Sequence, residues 1–308
     1  MSAGEAGRDR TGSGARVLVA GATGGLGTRI VRALAARDAR VRVLVRPGTP
    51  PTRTEALRRL GAEVVAVHLH HAATVTQACA EVSCVVSSLN GLADTMLDAQ
   101  TVLLDAAAAA GVPRFIPSDF ALDFTKTAPG RNRNLDLRRD FHDRLGRSPV
   151  RATSILNGAF MDMLTGAMPM IQFGLRRVLS FGDPDQPLDF TAMDDVAAYT
   201  AHAALDPDAP RILRIAGEVA SARDLARAAG EATGRPFTVL RLGGPGLLTP
   251  MIALARTLAP GGNQVFPAWQ GMQYLRDMFE GRGKLDPLDN DRYPDLTWTG
   301  SREMLGRR

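Results

Sequence analysis

From Arg16 to Gly48 the chain reads RVLVAGATGGLGTRIVRALAARDARVRVLVRPG, and no other stretch limits the available folds as much. Val17 to Ala20 is an apolar run too short for a helix and bounded by glycine, which predicts a buried strand. Gly21, Gly24 and Gly27 follow, then Ile30, Val31 and Leu34 at helical spacing. A second apolar run, Val41 to Val45, closes a strand–helix–strand unit of about the 30 residues a parallel crossover needs. In such a unit one glycine permits the tight turn, one lets the backbone approach a pyrophosphate, and one lets helix and strand pack closely. The phosphates rest on free N–H groups at the positive end of the helix. The prediction is a Rossmann-type, doubly wound parallel α/β sheet. Its dinucleotide site is expected at Gly21, Thr23, Gly24, Gly25, Leu26 and Gly27.

The end of the second strand selects the dinucleotide. Where NAD binds, an acidic residue there bonds the ribose hydroxyls. This chain has Val45, Arg46 and Pro47 instead. A guanidinium takes a 2′-phosphate bidentately, so Arg46 points to NADP(H). The alternative is a solvated arginine.

Composition narrows the class. With 308 residues and 45% hydrophobic content the chain suits one large α/β domain, or one with a smaller appendage. No apolar run approaches the ~20 residues of a membrane span, and the N-terminus lacks the apolar core of a signal peptide. Free Cys79 and Cys84 suit a reducing cytoplasm, the expected location. The pI near 9.8 raises the question of nucleic acid. Yet the net charge is only +5 and the arginines are spread along the chain, not gathered into a patch, so no nucleic-acid partner is expected.

Beyond the first unit, His68, His70 and His71 invite a metal reading. On a strand, however, His71 points away from the other two and no cysteine or carboxylate joins them; a loop near the adenine is the reading preferred, with no metal. Ser87, Ser88, Leu89 and Asn90 follow the fourth strand and face the crevice in a doubly wound sheet. A long helix is read from Ala93 to Ala110. Strand five then leads into Pro117, Ser118 and Asp119. Asp194 and Asp195 are read as a helix cap. Seven of the eleven methionines fall in Met161–Met170 and Met251–Met278. With Phe266, Trp269 and Tyr274 they suit the wall of a pocket for a flat apolar ligand, or simply helix core.

The segments GATGGLG, LVRPG, VVSSLNGL, LLDAAAAAGVPRFIPSDF and ATSILNGAFMDM occur in the order and spacing of the NmrA-like family, which the chain resembles from Arg16 to Ala220. That family of atypical short-chain dehydrogenase/reductases includes the isoflavone and phenylcoumaran benzylic ether reductases. The resemblance implies residues 16–159 as an NADP-binding domain, to which 187–217 return. It implies a mostly helical substrate domain from 160–186 and 218–308, with 1–15 a disordered tail. Asn157, Gly158 and Phe160 match the segment beside the nicotinamide; an ordinary strand-to-helix turn fits the same letters. The implied activity is NADPH-dependent reduction of a small aromatic or apolar substrate. A non-catalytic NADP(H) sensor that binds a partner protein is the alternative.

The departures concern the proton. Where the plant reductases carry a lysine, counting back from ATSILNG places Arg138, which holds its proton too tightly to act as an acid and is left as an anchor for a ribose, a phosphate or a substrate carboxylate. Nor does any tyrosine have a lysine four residues on. His142 shares a helix face with Arg138 and titrates near neutrality, so it ranks first as donor. Lys126, in a loop read as a lid over the nicotinamide, ranks second. A half-buried helix residue and a solvated loop charge are the plainer readings of the two.

Overall fold

In strand β1 (Arg16–Ala20) every residue after Arg16 is buried: Val17 and Val19 enter the core on one face, Leu18 and Ala20 the core on the other. Burial on both faces is why the run is continuously apolar instead of alternating. The computed structural model describes residues 14–166 and 168–308, so most of the expected tail lies outside the described residues. Helix α1 (Gly25–Ala35), β2 (Arg40–Val45), α2 (Pro51–Arg59), β3 (Glu63–Ala66), α3 (Ala72–Ala78) and β4 (Cys84–Ser87) follow. A π-helical turn, Asp94–Ala99, then runs directly into α4 (Gln100–Ala109), where one α-helix is expected. With β5 (Arg114–Ile116), α5 (Arg133–Leu145) and β6 (Arg151–Ala152) a six-stranded parallel sheet is complete, ordered β3-β2-β1-β4-β5-β6. The order reverses between β1 and β4, the point where doubly wound sheets open a ligand crevice.

Beyond Thr153 the chain continues as β7 (Ser154–Leu156) and β8 (Ala159–Phe160), then β9 (Ile171–Gln172), β10 (Arg177–Ser180) and β11 (Leu188–Thr191). Helix α6 (Met193–Leu205) packs on α1, and β12 (Ile212–Arg214) pairs in parallel with β7. Within the segment expected to return to the first layer, Leu188 and Phe190 bury in a separate core, while Val196 and Tyr199 join that of β1 and α1. That core also takes side chains from α7 (Ala222–Thr233), α8 (Leu248–Leu258), α9 (Ala268–Phe279) and α10 (Ser301–Gly306), among them Leu225, Leu248 and Trp269. Two three-stranded sheets border it: β8, β11 and β13 (Glu218–Ala220), and β9, β10 and β14 (Thr238–Arg241). Helix α7 starts on a capping box between Ser221 and Asp224 and stops at left-handed Gly234.

The acidic pair in the first turn of α6 corrects the sequence reading. Neither residue caps the helix, whose N-cap is Ala192. Asp194 pairs with Arg29 on α1 at 2.9 Å, and Asp195 accepts the Thr299 N–H at 2.7 Å. Asp195 thus ties down the irregular strap 284–300. The same strap receives the Tyr199 hydroxyl on the Asp289 carbonyl at 2.7 Å. No helix among the described residues is long and apolar enough to cross a membrane.

Candidate active site

The three glycines of the first unit meet different surroundings. Gly21 has a left-handed φ of +80°, and a Cβ there would lie 2.5 Å from the Ser88 carbonyl oxygen. A Cβ on Gly27 would lie 2.3 Å from the Gly21 carbonyl oxygen and 2.7 Å from Ser88 Oγ. These two glycines let β1, α1 and the end of β4 touch. Gly24 is otherwise: φ is −79°, and the one atom near its Cβ position is the Gly21 carbonyl oxygen at 3.3 Å. The protein leaves that side open. Gly24 is also the N-cap of α1, with no side-chain cap and no acidic residue in the first turn. The N–H groups of Gly25, Leu26 and Gly27 therefore present an uncompensated positive end.

A cleft of about 640 Å³ opens there, lined by Gly21, Thr23, Gly24, Arg46, Ser88, Leu89 and Asn90 from the expected set. His68 and His70 line it too, which places the histidine loop on the ligand side of β3. Among the described residues no three His, Cys, Asp or Glu side chains are grouped to hold a metal ion. Arg53 joins Arg46 in the lining and was not singled out from sequence. Its signal was available: Pro51 starts α2, so Arg53 falls in the first turn after β2. Asp94 and Thr95 also line the cleft, carried there by the π-helical turn. Nothing in the residue pattern announces that turn.

Gly25, Leu26 and Gly27, in the first turn of α1, stand outside this lining, as do the expected residues at the other strand ends. Ser87 is fully buried and its Oγ has no partner; the Ser88 hydroxyl donates to the Ala20 carbonyl at 2.9 Å. Pro117 and Ser118 are buried, and the Ser118 hydroxyl donates to the Leu89 carbonyl at 2.6 Å, tying β5 to β4. Asn157 is fully buried at the end of β7 with no partner for Oδ1. Gly158 turns with φ +68°, its Cβ position 2.4 Å from the Asp189 carbonyl oxygen. Phe160 is half-buried and packs against the α1–α6 core.

The residues read as proton donors have other partners. Lys126 Nζ donates to the carbonyls of Lys284 at 3.0 Å and Asp286 at 2.9 Å, pinning the strap. Its loop is no free lid. Buried Phe124 anchors it, Arg139 donates to the Phe124 and Thr127 carbonyls at 2.6 Å, and buried Asp123 pairs with Arg214 at 2.7 Å. His142 Nε2 lies 2.8 Å from Asp119 Oδ2 and 2.9 Å from Ser154 Oγ, with the Phe124 ring edge-on at 4.7 Å between centroids. Asp119 itself is fully buried, and Arg211 donates to Ser154 Oγ at 2.7 Å. Burial lowers the pKa of Arg211, while Asp119 raises it. Arg138 is 7% exposed, one turn of α5 before His142.

With the sheet order, the glycine turn and the cleft in place, comparison with known families gives a match to the NmrA-like family over residues 13–288. The chain belongs to the NmrA-like family. It is similar to Pinoresinol reductase 1 of Arabidopsis thaliana, 30% identical over 62% of this chain and 65% of that protein. Oxidoreductase BOA1 of Botryotinia fuckeliana is 27% identical over 73% of this chain and 78% of its own. The chain thus spans just under two thirds of the length of the pinoresinol reductase. Among solved structures, AtPrR2 with NADP+ and (+)pinoresinol superposes with a TM-score of 0.80 over 96% of this chain and 99% of that one, at 24% identity. An isoflavone reductase superposes at 0.78 over 96% and 99%, with 20% identity. At identities this low the superpositions establish the shared fold alone.

Proposed function

We propose that this protein is a cytoplasmic, NADPH-dependent reductase that transfers hydride to a small aromatic substrate. One observation carries the proposal: a single cleft joins the open Gly24 turn to two guanidinium groups, Arg46 and Arg53, with no carboxylate at the end of β2. The residues present fit NADP(H). The α1 N-terminus would take the pyrophosphate and the Arg46–Arg53 pair the 2′-phosphate. The orphaned Asn157 Oδ1 would accept the carboxamide N–H. When bound, the nicotinamide supplies the hydride; the protein supplies orientation and exclusion of water. Family membership and the similarity to named reductases support the same reading. Residues 160–186 and 218–308, rich in methionine and aromatic side chains, would enclose the substrate.

In this reading Lys126 and His142 are fasteners. Lys126 holds the strap, and His142 joins α5 to buried Asp119 and Ser154. The proton then comes from water or from the substrate. The test compares dissociation constants for NADPH and NADH in wild type and Arg46→Ala. Loss of a charge-assisted contact costs about 1.5–3 kcal/mol, about ten- to a hundredfold, for NADPH alone. Equal affinity for both nucleotides in wild type would overturn the cofactor assignment. Tight NADPH binding with no turnover across carbonyls, quinones and enones would favour the sensor alternative.

A further inference from the structure

Among the described residues, buried arginines have their charge answered, with one exception. Arg276, 5% exposed, sits 3.4 Å from Asp277. Arg114, also 5% exposed, donates to the Ala204 carbonyl at the negative end of α6. Arg138 is the exception. Its Nη1 donates to the Asn134 carbonyl at 2.8 Å, which folds the guanidinium back over the first turn of α5, the positive end of that helix. Its Nε is buried without a partner. Among the described residues no carboxylate lies within ion-pair distance, and no group pairs with Nη2.

A guanidinium buried against a helix's positive end without a counter-charge is among the costliest arrangements a protein holds. The free side matters: Nε and Nη2 form the edge that clasps a carboxylate with two parallel hydrogen bonds, and lysine lacks that edge. Arg138 lies on the helix that packs against the π-helical turn Asp94–Ala99, whose Asp94 and Thr95 line the cleft. Tyr274 stands alongside: burial pushes its pKa up and the neighbouring Arg138 charge draws it back. Phe266, 53% exposed, lies 6.4 Å from the Tyr274 ring. Charge and aromatic wall adjoin.

We propose that the ligand answering Arg138 is an aromatic carboxylate, clasped through Nε and Nη2 with its ring toward Tyr274 and Phe266. The proposal rests on the reductase reading only for calling that ligand a substrate; its binding is measured without turnover. Calorimetric titrations with cinnamate and with neutral cinnamyl alcohol, each with and without saturating NADP+, make the test. Wild type is expected to bind cinnamate at least about tenfold more tightly than the alcohol. Arg138→Gln abolishes the preference, and Arg138→Lys restores only part of it. A structural role for Arg138 would lower the unfolding temperature of Arg138→Gln; an unanswered charge predicts no loss, because a buried cost is removed. Equal affinities in wild type, or a preference that survives in Arg138→Gln, overturn the proposal. So does Arg138→Gln weakening NADP+ instead of cinnamate, which would make the anion a cofactor oxygen. If NADP+ fails to bind while cinnamate preference stands, the cofactor reading fails and this one holds.

Discussion

The cleft at the sheet's switch point and the junction of α5 with α9 are built on opposite plans. The cleft draws its glycines and Arg46 from one unit of consecutive sequence, and its positive charge stays open to solvent. The junction joins parts far apart in the chain and buries polar groups between them. Asn132 caps α5 by accepting the Leu135 N–H, donates to Asp277, 145 positions away, and accepts from Gln270 at 2.7 Å. Burial pushes the Asp277 pKa up, and Asn132, Arg276 and Arg131 draw it back. The difference is instructive. An open positive end needs only local backbone geometry and waits for a ligand; a buried one must be answered by other parts of the chain, and at Arg138 it is not.

The largest test separates the glycines. Gly24→Val fills space that the protein leaves open, so NADPH affinity should fall at least about a hundredfold while circular dichroism and the unfolding temperature stay at wild-type values. Gly27→Val drives a side chain into the Gly21 backbone and should destabilise the fold by about 1–3 kcal/mol or more, visible in denaturant titration. If Gly24→Val unfolds the chain, the cleft is as tightly packed as the junction and the contrast collapses.

Smaller effects are expected where donors were read from sequence. His142→Gln should cost about 1–2 kcal/mol of stability, from lost hydrogen bonds to buried Asp119 and Ser154, and Lys126→Met about 0.5–1 kcal/mol, because its carbonyl partners are exposed. Both limbs of the pH–rate profile should stay in place once a substrate is found. A general acid would instead lose about 10²–10⁴-fold in turnover together with one limb. That outcome would return His142 or Lys126 to the chemistry.

The smallest effect lies behind the sheet, on α6. His202 Nε2 is 2.6 Å from an Arg37 guanidinium nitrogen, and its ring stacks on Tyr293. Burial, and then the Arg37 charge, lower its pKa below that of a free imidazole. Between the lowered folded pKa and the unfolded one, the unfolded chain binds more protons. Stability is therefore whole above the unfolded pKa and declines as pH falls below it. Urea midpoints from pH 7.5 down to 5 should show this decline in wild type and a shallower one in His202→Gln; parallel curves would sink the assignment.

What could be read from sequence was local. Strand–turn–helix, the glycine positions and the arginine after β2 follow from backbone geometry within one stretch, where spacing dictates which groups face a phosphate. The capped start of α7 was legible for the same reason, since cap chemistry acts over a few residues; that β12 pairs with β7, 58 positions earlier, was not. The partners of Lys126, His142 and Asp195 were not legible. Each had the right residue type for a familiar role, but its partner arrives from 104 to 160 positions away or across a strand-to-helix contact. Which side of a helix meets which strap is decided only when the two cores form together. A titratable side chain's role depends on how its neighbours desolvate and answer its charge, and tertiary structure alone assigns those neighbours. So the sequence by itself determined the sheet, the dinucleotide turn and the likeness to a family. The fold decided that Arg53 joins Arg46, that Lys126 is spent on the strap, and that the guanidinium of Arg138 is left unanswered.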